Sequence, residues 1–160
     1  MRTRRYLLLG LLGLFVLIQF IRPDKSVPSV EASQDICAIL APPAEVATML
    51  KAACYDCHSY QTRYPWYSQI APVSWWLANH INEGREHVNF NTFGTIPPGD
   101  RLELLEECSE VVLDGEMPLR SYIWMHAEAR LGPEQRRLLA EWFSTHTNWD
   151  GPSGEEEEAH

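Results

Sequence analysis

The sequence predicts an all-α fold of about four helices behind a short apolar N-terminal segment. Three observations lead there. Apolar residues recur at three- and four-residue intervals in four stretches, no stretch alternates convincingly at period two, and prolines or glycines stand where those stretches begin or end. A chain of 160 residues with 45% hydrophobic content suffices for one compact domain with appendages.

The N-terminal segment comes first. Arg2, Arg4 and Arg5 precede an uncharged apolar run over residues 6–21. The run falls slightly short of the ~20 residues that span a bilayer comfortably, so it suits a short signal anchor or a cleaved signal peptide. A small-residue cleavage site ending at Ala32 lies about ten residues beyond the run, farther than such sites usually sit, which favours the uncleaved anchor over residues 1–21. The positive-inside rule keeps the arginines in the cytoplasm and exports the rest, which in a bacterium means a single-pass inner-membrane protein with its domain in the periplasm. Residues 22–34, with Pro23, Pro28 and several serines, read as a tether, and residues 150–160, with four consecutive glutamates, as a disordered acidic tail.

Residues 35–149 remain as the domain. Pro42-Pro43 opens a first helix with Val46, Met49, Leu50 and Ala53 on one face, leading into Cys54. Pro72 opens a second, with Val73, Trp76, Leu77, His80 and Ile81 on one stripe and Gly84 weakening its last turn. A loop over residues 89–99 follows. Asp100 is expected to cap a third helix with Leu102, Leu105, Cys108, Val111 and Val112 inward and Gly115 at its end. The last helix starts at Pro133, with Leu138, Leu139, Trp142 and Phe143 inward.

The chemistry sits in Ala-Ala-Cys54-Tyr-Asp-Cys57-His58. Closely spaced thiols serve metal chelation, thiol exchange or haem attachment. A structural zinc site needs four ligands and there is no second C-x-x-C to supply them, so Cys37 or Cys108 would have to complete the set. A redox dithiol expects a βαβ setting that an all-helical pattern does not offer. Covalent haem explains the order of residues as well as their identity. Two sulfurs one helical turn apart reach the two vinyl groups, and the histidine after the second becomes the axial iron ligand. The expected cofactor is one haem c, held through Cys54 and Cys57, with His58 on the iron.

The order of parts resembles monohaem c-type cytochromes: helix, C-x-x-C-H, a long middle region, Gly115-Glu116-Met117-Pro118, then a terminal helix after Leu131-Gly132-Pro133. More closely, Tyr64-Pro65-Trp66-Tyr67, Ile70-Ala71-Pro72-Val73-Ser74-Trp75, His80, Glu83-Gly84-Arg85 and Asn89-Phe90 are similar to the bacterial haem-binding domain family of exported C-x-x-C-H proteins. The resemblance implies a cytochrome c-like helical domain in which the first and last helices pack beside the haem and a Met-Pro loop supplies the second axial ligand.

Met117 is the leading sixth ligand, because a thioether favours ferrous iron and raises the potential. His80 is the alternative, with His87, His126 and an open position as further readings. Tyr64, Trp66, Tyr67, Trp75 and Trp76 either cover the porphyrin or form core. Arg63 and Arg85 either meet haem propionates or are solvated. Cys37 and Cys108 form a disulfide or remain apart, with Cys108 as a small core residue.

From Ser33 onward the chain carries 20 acidic and 8 basic side chains. Such a surface repels nucleic acid and anionic headgroups and suits redox partner proteins with a basic docking face. The expected function is a membrane-anchored monohaem electron carrier, with no catalysis required. A haem sensor or small peroxidase with an open or displaceable sixth position is the alternative.

Overall fold

The computed structural model describes residues 2–147, so the expected acidic tail lies outside the described residues. Among them there are eight α-helices and no strand: α1 (Arg2–Ile18), α2 (Ile36–Leu40), α3 (Ala44–Ala53), α4 (Tyr55–His58), α5 (Val73–His87), α6 (Pro98–Leu113), α7 (Arg120–Met125) and α8 (Pro133–Thr145). Short 3-10 turns lie at Ala32–Gln34, Trp66–Gln69, Phe90–Thr95 and Ala127–Ala129. The all-α expectation holds. The four expected domain helices are α3, α5, α6 and α8. The additional α2, α4 and α7 are too short to carry a full apolar repeat, so periodicity could not register them.

The chain divides into two compact units, each assembled from separated stretches. The first unit comprises the chain up to Ser29 with Asp56–Asn89. In it α1 is exposed along most of its length, and i→i+3 backbone bonds carry the helical path on through Gln19, Phe20 and Ile21. The stretch after α1 is bonded to the segment that leads into α5. The Gln19 side chain both donates to the Ala71 carbonyl (3.2 Å) and accepts from its N–H (2.9 Å). Trp75 Nε1 donates to the Ile21 carbonyl at 2.7 Å. Lys25 Nζ donates to the Ser68 carbonyl and hydroxyl and lies 4.4 Å from the Tyr64 ring centre. Part of the expected tether therefore has fixed partners within this unit.

The buried face of α5 is Ser74, Ile81 and Gly84, and Val73 and Trp76 are exposed. The expected stripe is rotated by about one residue. Apolar periodicity marks a face that avoids water, and α5 instead buries its small residues, where another backbone can approach closely.

The second unit comprises Val30–Tyr55 and the chain from Phe90 on. Here α6 packs most extensively on α8, and α3 packs on α8 as well, so the first and last of the expected domain helices meet. Helix α3 buries Val46, Met49, Leu50 and Ala53, the face read from sequence. Helix α6 starts two residues before Asp100, with Pro98 at its first turn and Asp100 inside it, because proline is pre-organised for that position. Its other end matches the expectation. Gly115 adopts φ +77°, Glu116 N–H reaches the Val111 carbonyl and Gly115 N–H the Val112 carbonyl, the paired bonds of a Schellman termination.

In α8, Leu139, Ala140, Trp142 and Phe143 are buried, whereas Leu138 is 37% exposed. Gln135 Oε1 accepts from Gly132 N–H at 2.9 Å and closes the helix start. Asp35 Oδ1 caps α2 through Cys37 N–H and also accepts from the Tyr55 hydroxyl, while Asn91 donates to Asp35 Oδ2. With its one proton given to Asp35, the Tyr55 oxygen accepts from the Cys37 thiol 3.1 Å away. Cys108 is half-buried rather than core, its thiol pushed up to about 12 by burial, and among the described residues no cysteine is in a disulfide.

These burials separate two adjacent leucines. Leu139→Ala is expected to cost about 2–5 kcal/mol and Leu138→Ala about 1 kcal/mol or less, read as shifts of the urea unfolding midpoint at unchanged slope.

Candidate haem site

Cys54 follows the last residue of α3, its N–H bonded to the Leu50 carbonyl at 2.9 Å, in the second unit. Cys57 and His58 end α4 and belong to the first unit. The two sulfur-bearing residues are thus one helical turn apart along the chain.

His58 is set by α5. Its Nδ1 lies 2.9 Å from the Gly84 carbonyl and 3.3 Å from the Val88 carbonyl. Both are acceptors, so Nδ1 carries the proton and the ring lone pair resides on Nε2. The Gly84 carbonyl, which also accepts from the Val88 N–H at 3.0 Å, lies near the C-terminal end of α5, where partial negative charge suits an imidazole N–H. Burial pushes the His58 imidazole below its usual value, against the opposing effect of the two carbonyls, and favours the neutral, ligating form.

Gly84 has a second role. A Cβ there would lie 3.1 Å from the Cys57 carbonyl oxygen and 3.4 Å from Cys57 Cβ. The glycine lets the last turns of α5 rest on the motif backbone, close enough for their carbonyls to reach His58.

The chain after His58 is folded back by charge. Asp56 is 6% exposed and accepts from Arg63 three times: backbone N–H (2.9 Å), Nε (3.2 Å) and Nη2 (3.1 Å). Arg85 Nε donates to the Ser59 carbonyl (2.8 Å) and Nη2 to the Thr62 hydroxyl (2.9 Å), which in turn donates to the Asp56 carbonyl. Arg63 and Arg85 thus brace the loop that leaves the motif, one on the Asp56 carboxylate and the other on Ser59 and Thr62. Burial, reinforced by the Asp56 carboxylate, pushes the Cys57 thiol up to about 11. An undissociated thiol is poorly suited to thiolate exchange.

The other named residues have local partners. Met117 is half-buried in the second unit, its N–H on the Val111 carbonyl and its carbonyl accepting from Arg136 Nη1 at 2.7 Å. Helices α6 and α8 together therefore hold the Met-Pro loop. His80 is half-buried in the first unit; its Nδ1 donates to the Trp76 carbonyl at 3.0 Å and its ring lies 4.3 Å from the Trp76 ring. His126 stacks on Tyr122 and donates to its carbonyl, and His87 is exposed at the end of α5. Of the aromatic group, Trp66 is 72% exposed and Trp76 48%, so neither is core.

Sequence reading missed Gly84, Asp56 and the bracing by Arg63 and Arg85. Gly84 had a signal: a glycine in the last turn of a helix invites close approach by another backbone as readily as it weakens the turn. Asp56 had none, because its partner lies in a loop without periodicity.

Two spaced cysteines followed by a half-buried histidine with its lone pair on Nε2, in an all-helical setting, define a haem-binding protein by class. The comparison agrees: the haem-binding domain family matches residues 13–145, and the chain belongs to that family. No curated protein and no solved structure matches it.

Gly84→Val is expected to press the added methyls onto the Cys57 backbone, costing about 1–3 kcal/mol. It should also displace His58, read as a lower unfolding midpoint together with a changed axial-ligand spectrum of the haem-loaded protein.

Proposed function

We propose that the chain is a membrane-anchored, exported electron carrier with one covalently attached haem c. The observation that carries this reading is the Cys54-x-x-Cys57-His58 motif with His58 Nδ1–H tied to the Gly84 carbonyl. Cys54 and Cys57 would hold the porphyrin through thioether bonds, and His58 Nε2 would take one axial position. When bound, the haem supplies one-electron Fe(III)/Fe(II) chemistry.

The protein's own part is to keep the ligand set unchanged between the two states. The Gly84 and Val88 carbonyls fix the His58 tautomer and raise the basicity of the ring. The Asp56–Arg63 and Arg85 bonds stop the loop after His58 from lifting. Met117, the proposed second axial ligand, stands in a loop pinned by the α6 termination and by Arg136. The acidic surface would steer a basic redox partner.

The anchor rests on the arginines followed by the uncharged run. No helix among the described residues is long and apolar enough to cross a membrane. With 17 residues, α1 is ~26 Å long at 1.5 Å per residue. The bonds that continue it to Ile21 lengthen it further, and snorkelling arginines with local bilayer thinning accommodate a short span.

Protein matured in a host that attaches haem c should keep its pigment through acid–acetone extraction and give the pyridine spectrum of a thioether-linked haem. Cys54→Ala with Cys57→Ala should lose it. Met117→Ala should retain the pigment, lower the reduction potential and admit carbon monoxide. A colourless matured protein, or one whose pigment is fully extracted, would refute the reading.

A further inference from the structure

Residues 64–82 contain no aspartate, glutamate, lysine or arginine, although acids outnumber bases heavily from Ser33 onward. Within that stretch stand Tyr64, Trp66, Tyr67, Trp75 and Trp76. Trp66, Ile70, Val73 and Trp76, all within this uncharged stretch, are exposed.

The same stretch is fixed to the end of the apolar N-terminal segment. Ala71 is bonded twice by Gln19, Trp75 Nε1 reaches the Ile21 carbonyl, and Lys25 reaches Ser68. All of these lie within the first unit. Wherever residue 21 leaves the bilayer, residues 66–76 must lie beside it.

We propose that this uncharged aromatic stretch is a membrane-contact surface, seated on the zwitterionic headgroup layer around the exit point of α1. The inference rests on the anchor reading above. Tryptophan and tyrosine favour this depth because an apolar ring meets the acyl boundary while its polar edge stays hydrated. Lack of charge permits the approach, and strong overall acidity selects zwitterionic over anionic lipid.

The porphyrin is the other large apolar surface these side chains could cover, and the geometry of α5 weighs against it. The motif rests on Gly84 and Val88 at the C-terminal end of α5. Val73 opens the helix, eleven residues earlier, ~16 Å away along the axis. The two ends of one helix thus have separate tasks: one orients the haem ligand and the other lies on lipid. The domain is thereby held at a set height and tilt instead of swinging on a tether.

The test uses full-length, haem-loaded protein in phosphatidylcholine vesicles, with a photoreactive benzoylphenylalanine replacing Trp66, Val73 or Trp76 in turn. Trp124, more exposed than any of the three and in the other unit, provides the control position. Lipid adducts severalfold above the control at the three positions are expected. Protein that floats with the vesicles but gives no such enrichment, or cross-links to a second copy instead, overturns the contact surface and leaves the anchor standing. Protein that does not float overturns both. The unmodified protein in oriented bilayers gives an independent measurement: linear dichroism of the haem band is expected, and its absence overturns the fixed seating.

Discussion

The site depends on one hydrogen bond, from His58 Nδ1–H to the carbonyl of Gly84, with Val88 as a second acceptor. A neutral imidazole presents either nitrogen, and only an external acceptor decides which. Here the acceptors are backbone atoms at a helix end, which cannot rotate away as a side chain could. The bond exists because residue 84 has no Cβ, so α5 can settle against Cys57. Close packing on the motif and the His58 tautomer therefore share one cause, the absence of a methyl group at Gly84.

A second layer of polar contacts makes that arrangement durable. Asp56, between the two motif cysteines in sequence, is buried, and a buried carboxylate is tolerable only when paired and hydrogen-bonded. Arg63 supplies both needs. Tyr55, its neighbour in the motif, is equally buried and is bonded to Asp35 and Cys37. The two residues between the cysteines are thus each secured by their own side chains, so α4 is held where its four residues alone would not stay helical.

How much of this could be read from the chain depends on what covers each face. Helix α3 was legible because its apolar residues meet other apolar residues, and Val46, Met49, Leu50 and Ala53 are all inside. Helix α8 was legible except for Leu138, one position past the buried stripe. Helix α5 was misread for a physical reason: periodicity finds faces that avoid water and is silent on whether protein, porphyrin or lipid covers them. Val73 and Trp76 are apolar without being core, whereas the small Ser74 and Gly84 are buried. Cys54, Cys57 and His58 stand out in sequence because their spacing is itself a local pattern. The bonds that position them, Asp56 to Arg63 across an irregular loop and Ser59 to Arg85 from a separate helix, follow no periodic pattern.

Charge distribution along the sequence links these layers to the proposed role. The stretch from 64 to 82 has no charge, whereas α6 alone carries Glu103, Glu106, Glu107 and Glu110, all exposed. A carrier that met its partners only in bulk water would gain nothing from segregating its charges so sharply. A carrier fixed to a bilayer would: an uncharged surface avoids the desolvation cost of charge against lipid, and acidic surface elsewhere remains to attract a basic partner over roughly a Debye length of ~8 Å. On this view the aromatic stretch and the acidic helix answer two halves of one requirement, to hold a haem at a constant distance from the membrane while partners exchange.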